Sequence, residues 1–305
     1  MSQNIEIIEV GPRDGLQNQD AILSTEDKVA FIKRLIDAGA RRIEVASFVN
    51  PVFVPQMADA EAVLTTLPTR ADVVRIGLVL NERGLARALL TPVEEIGAVA
   101  VASDEFGIRN QKQTSAESVH VARRIIEQAK SQGRRAQATI AVAFGCPFEG
   151  RVPAARVADM AREIANAGPQ EIALADTIGV AVPAQVEELI AAIVRAVPGM
   201  PLRCHFHNTR NTGIANAWAA IAAGVRRLDS SAGGIGGCPF APKATGNIAT
   251  EDLVYLAHHS GLQTGYRLDA LTELAPWLAS KLGLSELPAM VSRAGPFPPA
   301  REEVQ

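Results

Sequence analysis

The sequence predicts an α/β protein built on a (β/α)8 TIM barrel, and three observations support this prediction. β-Rich runs alternate with helical patterns along most of the 305 residues, which is typical of parallel strands joined by right-handed crossovers. Eight such pairs follow one another, within the ~250 residues that this barrel usually takes. The turn after the first run, Gly11–Gly15, lacks the G-x-G-x-x-G pattern of a doubly wound dinucleotide-binding sheet.

Each predicted strand is a short apolar run that stops at a polar or glycine-containing loop. The first helix follows Ser24 and Thr25, carries Glu26 and Asp27 in its first turn and ends at Gly39, which are the usual start and stop signals of a helix. The predicted strands are Ile5–Val10, Arg42–Ala46, Arg75–Leu80, Ala98–Ala102, Gln137–Phe144, Glu171–Ala175, Leu202–His207 and Arg227–Ser231. The other predicted barrel helices are Asp59–Leu67, Glu82–Leu90, Ala116–Gln132, Ala154–Ala167, Pro183–Val197, Gly213–Ala223 and Thr250–Ser260, with Ser103–Ser115 predicted as a loop.

The chain is predicted to divide into a catalytic barrel, residues 1–265, and a short C-terminal helical extension, residues 266–305, packed on it. Within the extension, Leu268–Leu282 has a helical pattern and Gly295–Gln305 is a proline-rich tail. Chain ends of that composition are commonly poorly ordered.

Composition excludes several classes of protein. The net charge of −3 and the pI near 6.0 leave no basic footprint for nucleic acid. No apolar run approaches the ~18 residues of a membrane span, and the N-terminus does not resemble a signal peptide. Three scattered cysteines are too few for a disulfide scaffold, so we expect a cytoplasmic protein. We also expect a homo-oligomer, either a dimer or a tetramer.

The strand Leu202–His207 contains a pair of candidate metal ligands, His205 and His207. Side chains alternate faces along a strand, so both imidazoles point one way while Cys204 points the other. Two histidines and a carboxylate make a facial metal site, and polar residues at the ends of barrel strands meet on one face. Asp14, after the first strand, is the candidate carboxylate, and Asn247 is a further candidate ligand. A histidine pair hydrogen-bonded in a polar core is the alternative.

This donor set has a predictable chemistry. Oxygen and imidazole ligands suit Mg²⁺, Mn²⁺ or Co²⁺, whereas a structural zinc site usually has thiolate ligands. Such an ion acts as a Lewis acid that lowers the pKa of a substrate hydroxyl. Arg13 offers a guanidinium fork for an enolate or carbonyl oxygen. A salt bridge from Arg13 to Glu44 is the alternative, and the two roles are compatible.

A glycine-rich loop, Gly233–Pro239, carries the thiol of Cys238. Glycines permit close approach to a ligand and the motion of a lid, and a thiol of lowered pKa can transfer a proton. The alternative for Cys238 is simple packing, the usual role of a free cysteine. Packing is also the favoured role of Cys204 and Cys146.

Several motifs together resemble 3-hydroxy-3-methylglutaryl-CoA lyases, members of a metal-dependent superfamily of TIM-barrel lyases and Claisen synthases. The resemblance extends from about residue 5 to residue 265. The motifs that carry it are Gly11–Gln17 (GPRDGLQ), Ser47–Val49, Val54–Met57, Gly145–Gly150 (GCPFEG), Asp176–Gly179 (DTIG), His205–His207, Gly237–Pro239, Gly246-Asn247 and Thr250–Leu253.

The resemblance implies a retro-Claisen cleavage of an acyl-CoA substrate. A hydroxyl loses its proton, the adjacent C–C bond breaks, and an acyl-CoA enolate leaves and is protonated. The implied cofactor is a divalent metal, Mg²⁺ or Mn²⁺, with no nucleotide beyond the CoA of the substrate. The implied ligands are Asp14, His205, His207 and Asn247, and the implied catalytic and substrate residues are Arg13, Asp14, Glu44, His205, Cys238, Gln17 and Asp176.

One stretch departs from the family. Lyases of this kind usually follow the second histidine with Asp-Thr-Tyr-Gly-Gln, whereas this chain has Asn208–Thr212 (NTRNT). We therefore treat Asn208 and Arg210 as candidate substrate contacts and keep citramalyl-CoA, methylmalyl-CoA or a longer branched analogue as alternative substrates. A Claisen synthase is a weaker alternative, because such enzymes usually lack the Gly-Gly-Cys-Pro loop and carry a large C-terminal extension. A non-catalytic binding module is the third alternative.

Overall fold

The computed structural model describes residues 4–237, 246–295 and 297. Its strands are β1 (Glu6–Glu9), β2 (Arg42–Ser47), β3 (Val74–Val79), β4 (Glu95–Val101), β5 (Arg135–Ala141), β6 (Gly145–Cys146), β7 (Gly150–Arg151), β8 (Ile172–Asp176), β9 (Leu202–Phe206) and β10 (Arg227–Ser230). Within the described residues, eight parallel strands close a barrel in the order β1-β10-β9-β8-β5-β4-β3-β2. β6 and β7 form a separate antiparallel hairpin. The predicted (β/α)8 barrel is confirmed.

The helices cover the outside of the barrel, and those that precede the last strand connect successive barrel strands. They are α1 (Thr25–Asp37), α2 (Ala60–Thr66), α3 (Glu82–Leu89), α4 (Asp104–Gln111), α5 (Ser115–Ser131), α6 (Ala154–Ala165), α7 (Pro183–Ala196), α8 (Gly213–Ala222), α9 (Thr250–His259), α10 (Leu268–Leu282) and α11 (Met290–Ala294). At the start of α1, the Ser24 hydroxyl accepts a hydrogen bond from the Asp27 amide at 3.2 Å, as predicted from its capping residues. Over the described residues, no helix has the length and apolar character that crossing a bilayer requires.

The segment predicted as the loop Ser103–Ser115 contains helix α4, so that prediction is wrong. The Ser103 hydroxyl caps the helix by accepting from the Phe106 amide at 3.3 Å. Lys112 ends it in a left-handed conformation with φ of 57°. The helix buries little apart from Phe106 and Gly107, so the sequence lacks the apolar periodicity that would have revealed it.

Most strand boundaries agree with prediction within two residues, and two differ by three. β4 begins at Glu95, three residues before the predicted Ala98, because a fully buried glutamate points into the barrel and pairs with Arg42. A charged residue before an apolar run is usually assigned to a loop, so the sequence placed the start of this strand too late. β5 ends at Ala141 rather than Phe144, because Val142 has a φ of 50° and breaks the extended conformation.

The C-terminal extension packs against the barrel helices through α10. Leu271, Leu274 and Leu278 of α10 are buried in the same apolar core as the barrel, and α10 contacts α1 and α9. Most of the predicted tail Gly295–Gln305 lies outside the described residues.

The interior of the barrel contains a network of buried charges beside a small aliphatic cluster of Ile8, Val10 and Ile76. Arg42 pairs with Glu95 and, at 2.7 Å, with Glu171. The Arg203 Nε atom lies 3.4 Å from both Glu171 and Asp229. These side chains are buried, and a buried charge without its partner is costly. Opposite charges therefore run in a continuous chain through the barrel interior to its C-terminal face.

Candidate active site

Arg13 and Asp14 lie on a π-helical turn, Gly11–Gly15, that follows β1 directly. The Glu9 carboxylate at the end of β1 holds this turn, because its Oε1 accepts hydrogen bonds from the Gly11 amide at 2.8 Å and the Ala232 amide at 3.0 Å. A Cβ at position 11 would lie 2.7 Å from that same oxygen, so a larger residue would displace the carboxylate that holds the turn. The turn therefore presents Arg13 and Asp14 at the C-terminal end of the strand.

His205 and His207 project from one face at the end of β9, as the strand alternation predicted. Together with Asp14 they form a group whose ligand atoms all lie within 4.8 Å of one another. His207 Nε2 is 3.5 Å from Asp14 Oδ2. His205 Nδ1 is 3.1 Å from Asp229 Oδ2, a contact that leaves Nε2 as the basic nitrogen of the ring. The structure thus brings together the three predicted ligands.

Asn247 reaches the same group by a local β-pairing across the barrel mouth. His207 and Asn247 form an isolated antiparallel bridge, and the Asn208 amide donates to the Gly246 carbonyl at 2.8 Å. Asn247 Nδ2 donates to Asp14 Oδ2 at 2.8 Å and to the Ile235 carbonyl at 3.1 Å. Its Oδ1, the atom suited to a hard cation, is buried and has no hydrogen-bond partner among the described residues. A buried acceptor of this kind fits a metal ligand.

The Arg13 guanidinium lies between two carboxylates. Its Nε donates to Glu44 Oε2 at 2.7 Å, and its Nη1 donates to Asp14 Oδ1 at 2.5 Å. The salt bridge to Glu44 that the sequence offered as an alternative is therefore present. The same contact orients the guanidinium toward the cavity that Arg13 also lines.

The charges of the site follow from these contacts. Burial disfavours the charged form of Asp14, but Arg13 and the two histidines outweigh it and hold the pKa of this carboxyl well below its ordinary value. Burial alone would lower the pKa of His205, but the hydrogen bond to Asp229 and the charge of Asp14 raise it. Asp14 is therefore ionised at neutral pH, which is the form that binds a cation.

A cavity of about 160 Å³ opens beside this group. Its wall is polar near the histidines and apolar on the side of β3, β4 and β5. The lining residues are Arg13, Asp14, Gln17, Asn18, Glu44, Val49, Leu78, Leu80, Val99, Phe106, Asn110, Thr139, Ala141, Ala175, Thr177, Arg203, His205, His207, Asp229 and Gly237. A mixed cavity with convergent polar groups at the C-terminal end of the strands is the expected active site of this fold.

The predicted substrate contacts divide into two groups. Gln17 lines the cavity, and its Oε1 accepts from the Ser47 hydroxyl at 3.2 Å. In the described part of the chain, Asp176, Asn208 and Arg210 are not among the cavity-lining residues.

These three side chains instead hold the backbone around the site. The Asp176 carboxylate accepts from the amides of Val180 at 2.9 Å and Ala181 at 3.0 Å. Asn208 Oδ1 accepts from the Gly213 amide at 3.0 Å, and Arg210 Nη1 donates to the Gly179 carbonyl at 2.8 Å. Asn208 and Arg210, which differ from the family pattern, therefore hold the backbone of the loops at the barrel mouth and do not form the cavity wall.

Cys238 lies outside the described residues, but Gly237 next to it lines the cavity. Cys204 is fully buried on the face of β9 opposite the histidines, and burial raises the pKa of its thiol far above the ordinary value. Cys146 is buried in the hairpin, 2.8 Å from the Ser103 hydroxyl. Packing, the role favoured for both in the sequence, agrees with their burial.

Two charged cavity residues were missed in the sequence, Arg203 and Asp229. Arg203 precedes His205 by two residues, so strand alternation places it on the same face. Asp229 occupies the inner face of the neighbouring strand, where its Cα is paired with His205. The signal for both was a charged residue inside an otherwise apolar strand.

Comparisons with known proteins agree with this architecture. A family model described as HMGL-like matches residues 4–277. The (R)-citramalyl-CoA lyase of Chloroflexus aurantiacus is 44% identical, over 97% of this chain and 96% of its own length. The hydroxymethylglutaryl-CoA lyase of Pseudomonas mevalonii is 39% identical, over 96% of each chain.

Solved structures show the same likeness. The HMG-CoA lyase of Bacillus subtilis superposes with a TM-score of 0.92 at 37% identity, covering 96% of this chain and 98% of its own. An HMG-CoA lyase from Acinetobacter baumannii, in complex with coenzyme A and 3-methylmalate, has a TM-score of 0.91 at 38% identity, covering 96% and 95%. With the family model matching most of the chain and the relatives aligning over nearly its full length, this protein belongs to the HMGL-like family and is a carbon–carbon lyase.

Proposed function

We propose that the protein cleaves the C2–C3 bond of 3-hydroxy-3-methylglutaryl-CoA to give acetyl-CoA and acetoacetate, with a divalent metal as cofactor. The observation that carries the proposal is the grouping of Asp14 with His205 and His207, with the Arg13 guanidinium at the same cavity. The names of the relatives support the substrate class, since they act on CoA thioesters of branched hydroxy acids.

Asp14, His205, His207 and Asn247 would hold the metal, and Mg²⁺ or Mn²⁺ suits their oxygen and nitrogen donors. The buried, unpartnered Oδ1 of Asn247, noted above within the described residues, supports this assignment. The ion would supply Lewis acidity that favours ionisation of the substrate hydroxyl and stabilises negative charge on oxygen.

The remaining chemistry falls to the side chains of this chain. The 3-hydroxyl loses its proton and becomes a ketone while the electron pair of the C2–C3 bond passes to the thioester, which leaves as an enolate. The Arg13 Nη atoms donate to the enolate oxygen, where charge develops, and Glu44 keeps the guanidinium in place. Cys238 is proposed to return a proton to C2, and Gly237 beside it at the cavity wall supports that position.

Citramalyl-CoA is the second candidate substrate. It is favoured by the 44% identity to the (R)-citramalyl-CoA lyase of Chloroflexus aurantiacus. The two thioesters share the tertiary 3-hydroxyl and its methyl group, and they differ by one methylene before the free carboxylate. The same bond cleavage applied to citramalyl-CoA would release pyruvate in place of acetoacetate.

The test is a panel of hydroxyacyl-CoA thioesters, assayed with and without Mg²⁺ or Mn²⁺. Acetoacetate formed from the methylglutaryl thioester at the higher kcat/KM supports the proposal, and a tenfold preference for citramalyl-CoA replaces it with the second candidate. If no thioester of the panel is cleaved in the presence of metal, the proposed function is wrong. We also propose that the protein is a homodimer or a homotetramer. Its molar mass, measured by light scattering after size-exclusion chromatography, decides between them.

A further inference from the structure

A buried arginine, Arg203, forms part of the cavity wall, and the role proposed above for the site does not use it. It is 1% exposed and lies on β9 two residues before His205. The rise of a strand, ~3.3 Å per residue, sets its Cα about 6.6 Å below that of the metal ligand on the same face. Arg203 therefore belongs to the layer of the barrel directly under the reacting centre.

The guanidinium of Arg203 is only partly satisfied. Among the described residues, its Nε and Nη1 have no hydrogen-bond partner. Its Nη2 reaches the Thr139 hydroxyl, another cavity residue, at the long distance of 3.4 Å. Glu171 and Asp229 are near Nε, each at 3.4 Å. They neutralise its charge but leave donors unused, and leaving buried donors unpaired is costly.

Arg42, in the same charged interior, shows the contrast. Its Nε donates to Glu95 at 3.2 Å, and its Nη1 and Nη2 donate to Glu171 at 3.0 and 2.7 Å. Arg42 is not among the described residues that line the cavity. Every guanidinium nitrogen of Arg42 thus has a protein partner, whereas Arg203 lines the cavity and keeps two nitrogens without a hydrogen-bond partner among the described residues.

We infer that Arg203 binds the free carboxylate of the substrate's acyl group, and so selects thioesters that carry one. A guanidinium presents paired donors that match a carboxylate. The Thr139 hydroxyl lies beside it, while Leu78, Val99 and Ala141 supply an apolar wall for the carbon chain. This inference rests on the proposed function, since it assigns the acyl end of that substrate.

The experiment compares two thioesters with the same tertiary alcohol. One is 3-hydroxy-3-methylglutaryl-CoA; the other is 3-hydroxy-3-methylbutyryl-CoA, in which a methyl group replaces the carboxymethyl group. Dissociation constants and kcat/KM are measured for wild type, Arg203→Met and Arg203→Lys, with Arg42→Lys as the matched buried control. A hydrogen bond to a charged group contributes ~1.5–3 kcal/mol. Arg203→Met should therefore weaken the binding of 3-hydroxy-3-methylglutaryl-CoA by roughly 10- to 150-fold.

Binding of the thioester without the acyl carboxylate should change less than threefold in Arg203→Met. Arg203→Lys should restore part of the lost preference for the thioester that carries the carboxylate. Arg42→Lys should leave the preference unchanged even where it lowers stability. An equal loss for both thioesters in Arg203→Met would overturn the inference and leave a purely structural arginine. If neither Arg203 variant folds, wild type decides: a preference under threefold overturns the inference, and one above tenfold supports it. Wild type that cleaves neither thioester nor citramalyl-CoA would instead reject the proposed function.

Discussion

At the scale of single residues, Arg13 has the most specific geometry in the site. Its guanidinium meets Glu44 and Asp14 through different nitrogens, so its orientation depends on a fork that lysine lacks. Arg13→Lys should lower kcat by about 10²–10³, the usual effect of losing one preorganised donor, with little change in KM. Steady-state kinetics on the preferred thioester measure both parameters. A variant within a few-fold of wild type would show that Arg13 serves only as a salt bridge.

Asp229 does not contact the proposed metal ion but orients His205, one of its proposed ligands. Its Oδ2 contacts His205 Nδ1, and its Oδ1 lies beside Arg203. Carboxylates behind a metal-binding histidine fix the ring and typically affect affinity by ~10- to 100-fold. Asp229→Asn should therefore raise the dissociation constant for Mn²⁺ by that factor. Calorimetric titration of folded, metal-free protein tests this without any turnover, and an unchanged constant would refute the positioning role.

At the scale of elements, two buried glutamates hold the base of the glycine-rich loop. Glu9 binds the Ala232 amide, and both oxygens of Glu251 accept from the Gly233 amide at 2.9 Å. Gly233 has a φ of 73°, a conformation that favours glycine. Burial is the main cause that raises the pKa of Glu9 to about 7 and that of Glu251 to about 8. Both carboxyls therefore bind a proton more tightly in the folded protein than in the unfolded chain.

The sign of the pH dependence follows directly. Because the folded-state pKa exceeds the unfolded value, each group stabilises the fold below the unfolded pKa of 4.5, and this contribution is lost as the pH rises toward about 7 or 8. Glu251→Gln should flatten the loss of unfolding free energy between pH 5 and 8, by up to about 1.4 kcal/mol per pH unit. Urea unfolding at several pH values measures this, with the exposed Glu127→Gln on α5 as control. Equal slopes in wild type and Glu251→Gln would contradict the assignment.

At the scale of the whole molecule, the charge around the cavity is unbalanced. Asp14, Glu44 and Asp229 face two guanidiniums, Arg13 and Arg203, among the described lining residues. The excess negative charge favours a divalent cation at the point where β1, β9 and the Asn247 segment meet. Binding of that cation would link distant parts of the chain and so stabilise the folded state as a whole.

Metal binding should accordingly raise the melting temperature as well as restore activity. A ligand at 100 times its dissociation constant adds about 2.7 kcal/mol of stability, so Mg²⁺ or Mn²⁺ should shift Tm upward by several degrees after chelation. The shift should disappear in Asp14→Asn and His207→Ala, which remove proposed ligands. Calorimetric melting and turnover are followed on the same chelated and reloaded samples. Full turnover in rigorously chelated protein would disprove the metal requirement.

The sequence by itself determined the features that depend on local periodicity. Alternating strand and helix patterns predicted the barrel, and the two-residue repeat of a strand placed His205 and His207 on one face. Because parallel strands end together, Asp14 could be assigned to the same site from the end of the first strand. Helix α4 was not predicted because its apolar periodicity is weak. Arg203 was not predicted as a cavity residue because a single charged residue within an apolar strand does not by itself indicate a cavity.

Only the tertiary structure decided which polar groups face the cavity and which hold the backbone. Asp176 ends one barrel strand and Asn208 and Arg210 follow another, yet hydrogen bonds to amides and carbonyls occupy all three side chains. Asn247 reaches Asp14 because it pairs with His207, 40 residues away along the chain. The physical reason is that a buried polar group takes whichever partner lies within hydrogen-bond distance, and that distance is set by the closed barrel rather than by spacing in the sequence.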